Sequence, residues 1–176
     1  MGTGTDSCDH VTAGAYFSPA FECPEGRTDL HLCNAPNVQF EIRLGPWCVN
    51  VSLTVNETAE MIGILQSFVG CSGKRFHWLA AGGSVQSLAL RPPESDDPPG
   101  TLREIIFGLE VPESLHGRET LITLPATDEE ITSILSSLQG ALREAIAAGV
   151  LPRCADCEVA AARGSVGKKK AKVKPS

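Results

Sequence analysis

Aromatic side chains are scarce in this chain: two Trp, one Tyr and six Phe among 176 residues. A core must then lean on Leu, Ile and Val, and a site that works by stacking rings on nucleobases is poorly supplied. Long apolar runs are missing too. Nothing approaches the roughly 18 consecutive apolar residues that cross a bilayer. The opening residues Met1-Gly2-Thr3-Gly4-Thr5-Asp6 lack the charged and apolar regions of a secretory signal. Asp6 also stands where the myristoylation signal opened by Met1-Gly2 wants Ser or Thr. The expectation is an intracellular protein without a membrane partner, cytoplasmic, or nuclear if the cell is eukaryotic.

Catalytic constellations are missing as well. The four His, at positions 10, 31, 77 and 116, fall in no nucleophile elbow and no paired metal motif. His77 lies between Phe76 and Trp78 and reads as a packed side chain, while His116 reads as part of a turn. Gly82-Gly83 has neither the Lys nor the helix that a phosphate-cradling loop requires. Asp96-Asp97 reads as a loop tip, and Glu129-Glu130 as a helix N-terminus, where the dipole alone favours acids. The sequons at Asn50 and Asn56 never meet the glycosylation machinery without export. No cofactor is expected, and an enzyme is not supported.

Charge is present in quantity but unevenly placed. The net charge of -6 divides into a body near -12 over residues 1–162 and a tail of +6 from Arg163 onward, which carries no acid. Such a body repels nucleic acid and anionic membrane, so any phosphate contact falls to the tail. The candidate contact residues there are Lys168, Lys169, Lys170, Lys172 and Lys174. The tail's composition, low in apolar residues and densely basic, suits a nucleic-acid patch, a nuclear localisation signal or a strand that folds back on the acidic body.

Between the ends, one pattern occurs twice: an alternating strand, a polar cap and an amphipathic helix. Val38 to Leu44 alternates strictly, and after Gly45-Pro46 the residues Trp47, Val49, Val51, Leu53 and Val55 share a face, which predicts a hairpin. Asn56 reads as an N-cap, with Met61, Ile64, Leu65 and Phe68 at helical spacing over 57–69 and Gly70 as the stop. Weaker strand signals cover 85–90 and 102–111, separated by the Pro- and acid-rich loop 91–100. A strand over 119–124 leads to Thr127, with Glu130 three residues on, the spacing of a capping box. A second helix follows, with Ile131, Ile134, Leu135, Leu138, Leu142, Ala145 and Ile146 on one stripe, and ends at Gly149. The fold class read from this order is α+β: a two-layer sandwich with an antiparallel sheet of about five strands and two helices on one face, in the order ββα-βββα. The chain divides into an irregular Cys- and His-containing flank (1–35), the sandwich (36–150), and a Cys-x-x-Cys flank with the basic tail (151–176).

Seven cysteines complete the inventory. Cys154-Ala155-Asp156-Cys157 has the spacing at which two thiolates grip one tetrahedral zinc, and Cys8 with His10, or His31 with Cys33, can supply the remaining ligands. A zinc joining the flanks is therefore one reading; ordinary reduced thiols are the other. A redox role fits poorly, because Cys154 follows a helix end and Pro152 and does not open a helix. A zinc deaminase fails on spacing: one residue too many separates Pro152 from Cys154, and His116 to Glu119 does not form His-x-Glu.

The residues thus favour a small non-catalytic module that binds a macromolecule, a protein partner first, as adaptor or regulator. Its contact surface would be the sheet face away from the helices or the loop at 91–100. A nucleic-acid-associated protein using the Lys tail, with or without a structural zinc, is the alternative, and a metal-dependent enzyme the second alternative. An open antiparallel sheet also leaves edges through which copies of the chain can pair.

Overall fold

The described residues form seven strands and two helices, of which the alternation and the caps account for five strands and both helices. The computed structural model describes residues 11–19, 36–44, 47–79, 85–109 and 120–152. In chain order these are β1 (Val11–Ser18), β2 (Asn37–Leu44), β3 (Trp47–Leu53), α1 (Val55–Phe68), β4 (Arg75–Trp78), β5 (Val85–Arg91), β6 (Glu104–Leu109), β7 (Thr120–Pro125) and α2 (Asp128–Ala147). The fold is α+β, with two antiparallel sheets: three strands in the order β1-β2-β3, and four in the order β4-β5-β6-β7.

Period-two alternation sets one face of each sheet inward. Val38, Phe40 and Ile42 of β2 and Val51 and Leu53 of β3 are buried, as are Leu88 and Leu90 of β5, Ile105 and Phe107 of β6, and Leu124 of β7. The Phe40 and Phe107 rings, with centroids 5.6 Å apart, bring the two inner faces together. Met61, Ile62, Leu65 and Phe68 of α1 and Ile131, Ile134, Leu135 and Leu138 of α2 complete one continuous core. The two helices touch each other, and α2 packs along β1, whose Ala13, Ala15 and Phe17 lean on the core.

The structure revises several expectations. Two sheets stand where the strand pattern suggests one of about five strands, and the extra strands are β1 and β4. β1 lies within the segment expected to be an irregular flank, since its Gly and Ala residues dilute the apolar alternation. Helix α1 starts two residues early: Thr54, not Asn56, is the N-cap. Thr54 Oγ1 accepts from the Glu57 N–H at 3.1 Å, and the Glu57 carboxylate accepts from the Thr54 N–H at 2.7 Å, a closed capping box. Both helix stops stand as expected, with Gly70 at φ 69° and Gly149 at φ 84°, a region that a Cβ disfavours. The hairpin closes with Leu44 opposite Trp47; its turn residues, Gly45 and Pro46, lie outside the described residues. Among the described residues no helix is long and apolar enough to cross a membrane.

Candidate macromolecule-binding face

Strand β4 is one edge of the four-stranded sheet, and its last three side chains divide between two environments. His77 turns inward, opposite buried Leu88, with its ring centroid 5.6 Å from that of Phe68. Phe76 and Trp78 therefore point outward, 52% and 67% exposed. Their rings meet edge to face, with centroids 5.1 Å apart and planes at 84°. This is a favoured aromatic geometry, so the pair is preorganised at the surface.

The register extends the face across the sheet. Phe76 lies opposite Ala89, which faces Ile106 and then Thr123, while Trp78 leads through Ser87 and Gly108 to Leu121. Leu121, on the far edge, is 60% exposed. The outward-facing positions of the sheet thus carry aromatic rings at one edge, Ala89, Ile106 and the buried Ser87 and Gly108 between, and Leu121 at the other edge. Its strand cation is already engaged: Arg91 pairs with Glu104 through Nε at 2.9 Å, and lies 3.8 Å from Glu94. The face is apolar and close to neutral.

The loop of residues 92–103 between β5 and β6 is built from turns. The Asp97 carboxylate accepts from the Glu94 N–H at 2.7 Å, the Thr101 N–H bonds the Pro98 carbonyl at 3.1 Å, and Gly100 takes a positive φ of 91°. The outer face of the three-stranded sheet is polar by contrast. Gln39 donates to Asn37 at 2.6 Å and to Ser52 at 2.8 Å, Arg43 pairs with Glu41, and Tyr16 stands exposed opposite Gln39.

A charged seam ties α1, the strand ends and α2 together. Arg103 bonds Asp128 at 2.8 Å and also the Cys71 carbonyl, and the Gly70 N–H reaches the same Asp128 carboxylate at 3.1 Å. The Arg103 guanidinium first, and then the Gly70 amide, hold the Asp128 carboxyl below the ordinary range. The seam is structural, joining the end of the first helix to the start of the second.

The described part of the face is built from residues other than those singled out from the sequence, which fall elsewhere in the chain. Cys8, His10, His31, Cys33, Cys154 and Cys157 lie outside the described residues, as do His116 and Lys168, Lys169, Lys170, Lys172 and Lys174. Among the described residues no group of three or more His, Cys, Asp or Glu is placed to hold a metal. Phe76 and Trp78 escape a reading that weighs aromatics by their number in the whole chain. The signal that finds them is local: Phe-His-Trp in an extended segment puts two large rings on the face opposite the one polar ring. Scarcity holds for the chain and not for this strand.

No family model matches the chain, and no curated protein matches it. Among solved structures it is similar to the plant transcriptional regulator PBF-2, at 15% identity and a TM-score of 0.41 over 92% of this chain and 85% of that one. It is also similar to WHY3 from Arabidopsis thaliana, at 18% identity and a TM-score of 0.40 over 89% of this chain and 91% of that one.

Proposed function

We propose that the protein binds single-stranded nucleic acid on the outer face of its four-stranded sheet, with unpaired bases stacking on Phe76 and Trp78 and the tail lysines meeting phosphates. The observation that carries this reading is the exposed, preorganised aromatic pair on an open sheet. Large rings left in water on a neutral face are a recognition surface in waiting, since a single-stranded base offers a flat partner whatever its identity. Each stacked base contributes about 1–3 kcal/mol. A duplex hides the faces of its bases and gains nothing from such a platform.

The charge distribution supports the same division of labour. The sheet face offers no unpaired strand cation among the described residues, so the electrostatic part of affinity falls to Lys168, Lys169, Lys170, Lys172 and Lys174. Stacking on the body and phosphate neutralisation by the tail are then separable by mutation. Polarisation of a labelled oligothymidylate tests this on the full chain. Trp78→Ala is expected to weaken binding about five- to a hundredfold at fixed salt. Changing the five lysines to Ala should instead flatten the dependence of log K on log salt, by about 0.7 for each phosphate that no longer meets a lysine. Binding that ignores Trp78 and Phe76, or no binding at low salt, overturns the reading and returns this face to a protein ligand.

A further inference from the structure

The two helix caps of this chain differ in one side chain. In α1 the Glu57 carboxylate turns back to close its capping box. In α2 Thr127 Oγ1 accepts from the Glu130 N–H at 3.2 Å, but no reciprocal bond from the Glu130 side chain closes the box. The Glu130 carboxylate instead lines a cavity of about 120 Å³ between β1, β7 and α2. Glu130 is half-buried as a whole, but its Oε2 is buried with no hydrogen-bond partner among the described residues. A buried carboxylate oxygen left unpaired is costly, so a position that holds one calls for a donor.

The chemistry of the wall defines that donor. Leu124, Pro125 and Ile134 supply apolar surface, Thr12 and Ser133 supply hydroxyls, and Glu130 supplies the single charge among the described lining residues. An inorganic cation would leave the apolar wall unused, and a neutral hydrocarbon would leave the carboxylate unpaired. A short alkyl stem ending in an ammonium satisfies both, with its methylenes against Leu124 and Ile134 and its N–H donors shared between Glu130 and the hydroxyls.

We propose that this cavity is a binding site for a primary alkylammonium group, either a free amine or a lysine side chain. It lies between β1, β7 and α2, apart from Phe76 and Trp78, and does not depend on how the aromatic face is used. The test titrates n-butylammonium into the full chain and follows the NMR signals of Ala13 and Ile134, with n-butanol as the neutral analogue. Saturable shifts with the amine, weaker by about tenfold or more with the alcohol, are expected. Glu130→Gln keeps the side chain's size and the backbone N–H that Thr127 caps but removes the charge, so the fold should persist while amine binding falls by a similar factor. The full chain with its five tail lysines changed to Ala separates the sources. Tighter amine binding in that variant identifies a tail lysine as the resident group, and unchanged binding identifies an external amine. No saturable shift at millimolar amine in either protein, or equal binding by Glu130→Gln, overturns the proposal.

Discussion

Thr54 and Thr127 occupy the same position at the heads of two helices, and the difference between them is measurable. Thr54 belongs to a closed box whose Glu57 is only 7% exposed, so truncating it breaks the reciprocal pair: the Glu57 N–H loses its acceptor, while the Glu57 carboxylate keeps only its bond from the Thr54 backbone N–H. Thr127 caps alone. Thr54→Ala should therefore lower the unfolding free energy by about 1–2 kcal/mol, and Thr127→Ala by about 1 kcal/mol or less, in urea titrations at neutral pH. Asp128 provides a second test at this scale. Its carboxyl is depressed in the folded protein by Arg103 and the Gly70 amide, so the unfolded chain takes up a proton first as pH falls. The stabilisation is complete above the unfolded value near 3.9 and is lost as pH drops through the lower folded one. Asp128→Asn should accordingly be less stable than the natural sequence at pH 7, with the deficit shrinking below about pH 4. A deficit that stays constant between pH 7 and pH 3 would mean that the seam acts through shape and not charge. Because Asp128 is largely exposed, the effect is sensitive to salt.

The elements legible in the sequence are those in which every local signal agrees. β2, β3 and α2 combine strict period with caps and Gly stops, and α1 differs by only two residues because Asn56 and Thr54 are both competent caps on chemistry alone. The choice between them depends on where the preceding strand ends, which is a tertiary fact: Leu53 pairs with Val38, so Thr54 is the first residue free to turn. β1 and β4 escape the pattern for opposite reasons. Val11–Ser18 places Ala13 and Ala15 on the face that packs against the core beside α2, where small side chains fit, and Gly14 on the other face, so no large apolar pattern is written. Arg75–Trp78 inverts the usual polarity, with its large rings outward and only His77 turned to the core. The same inversion that hides this strand from periodicity creates the candidate site, so the sequence is least legible where a ligand and not the core explains the residues. A single sheet is the economical reading of alternating strands, and only the facing of Phe40 and Phe107 reveals two.

At the scale of the whole molecule, the repeated strand-cap-helix unit suggests two halves, but the packing does not respect that division. Helix α2 follows the four-stranded sheet in sequence, yet it lies along β1 of the three-stranded one, more than a hundred residues earlier in the chain. Phe40 of the first sheet and Phe107 of the second share the same core as Leu65 and Leu138 of the two helices. Cutting the chain between α1 and β4 would leave the first half with β1 uncovered and the inner face of β2 and β3 without its opposing sheet. Neither half then buries enough apolar surface to offset its own conformational entropy. Residues 1–72 expressed alone should show no cooperative urea transition and no dispersed NMR spectrum, and the same holds for residues 73–176. Mixing the two should restore both, with a midpoint that rises with concentration, as expected when association and folding are one event. A cooperative transition in the isolated first half would show that α2 covers a sheet already stable without it, and the molecule would then be two modules in contact. The intact chain, by contrast, should unfold in one step by circular dichroism and Trp fluorescence together, and should refold slowly, because β1 cannot be covered until the most distant helix has arrived.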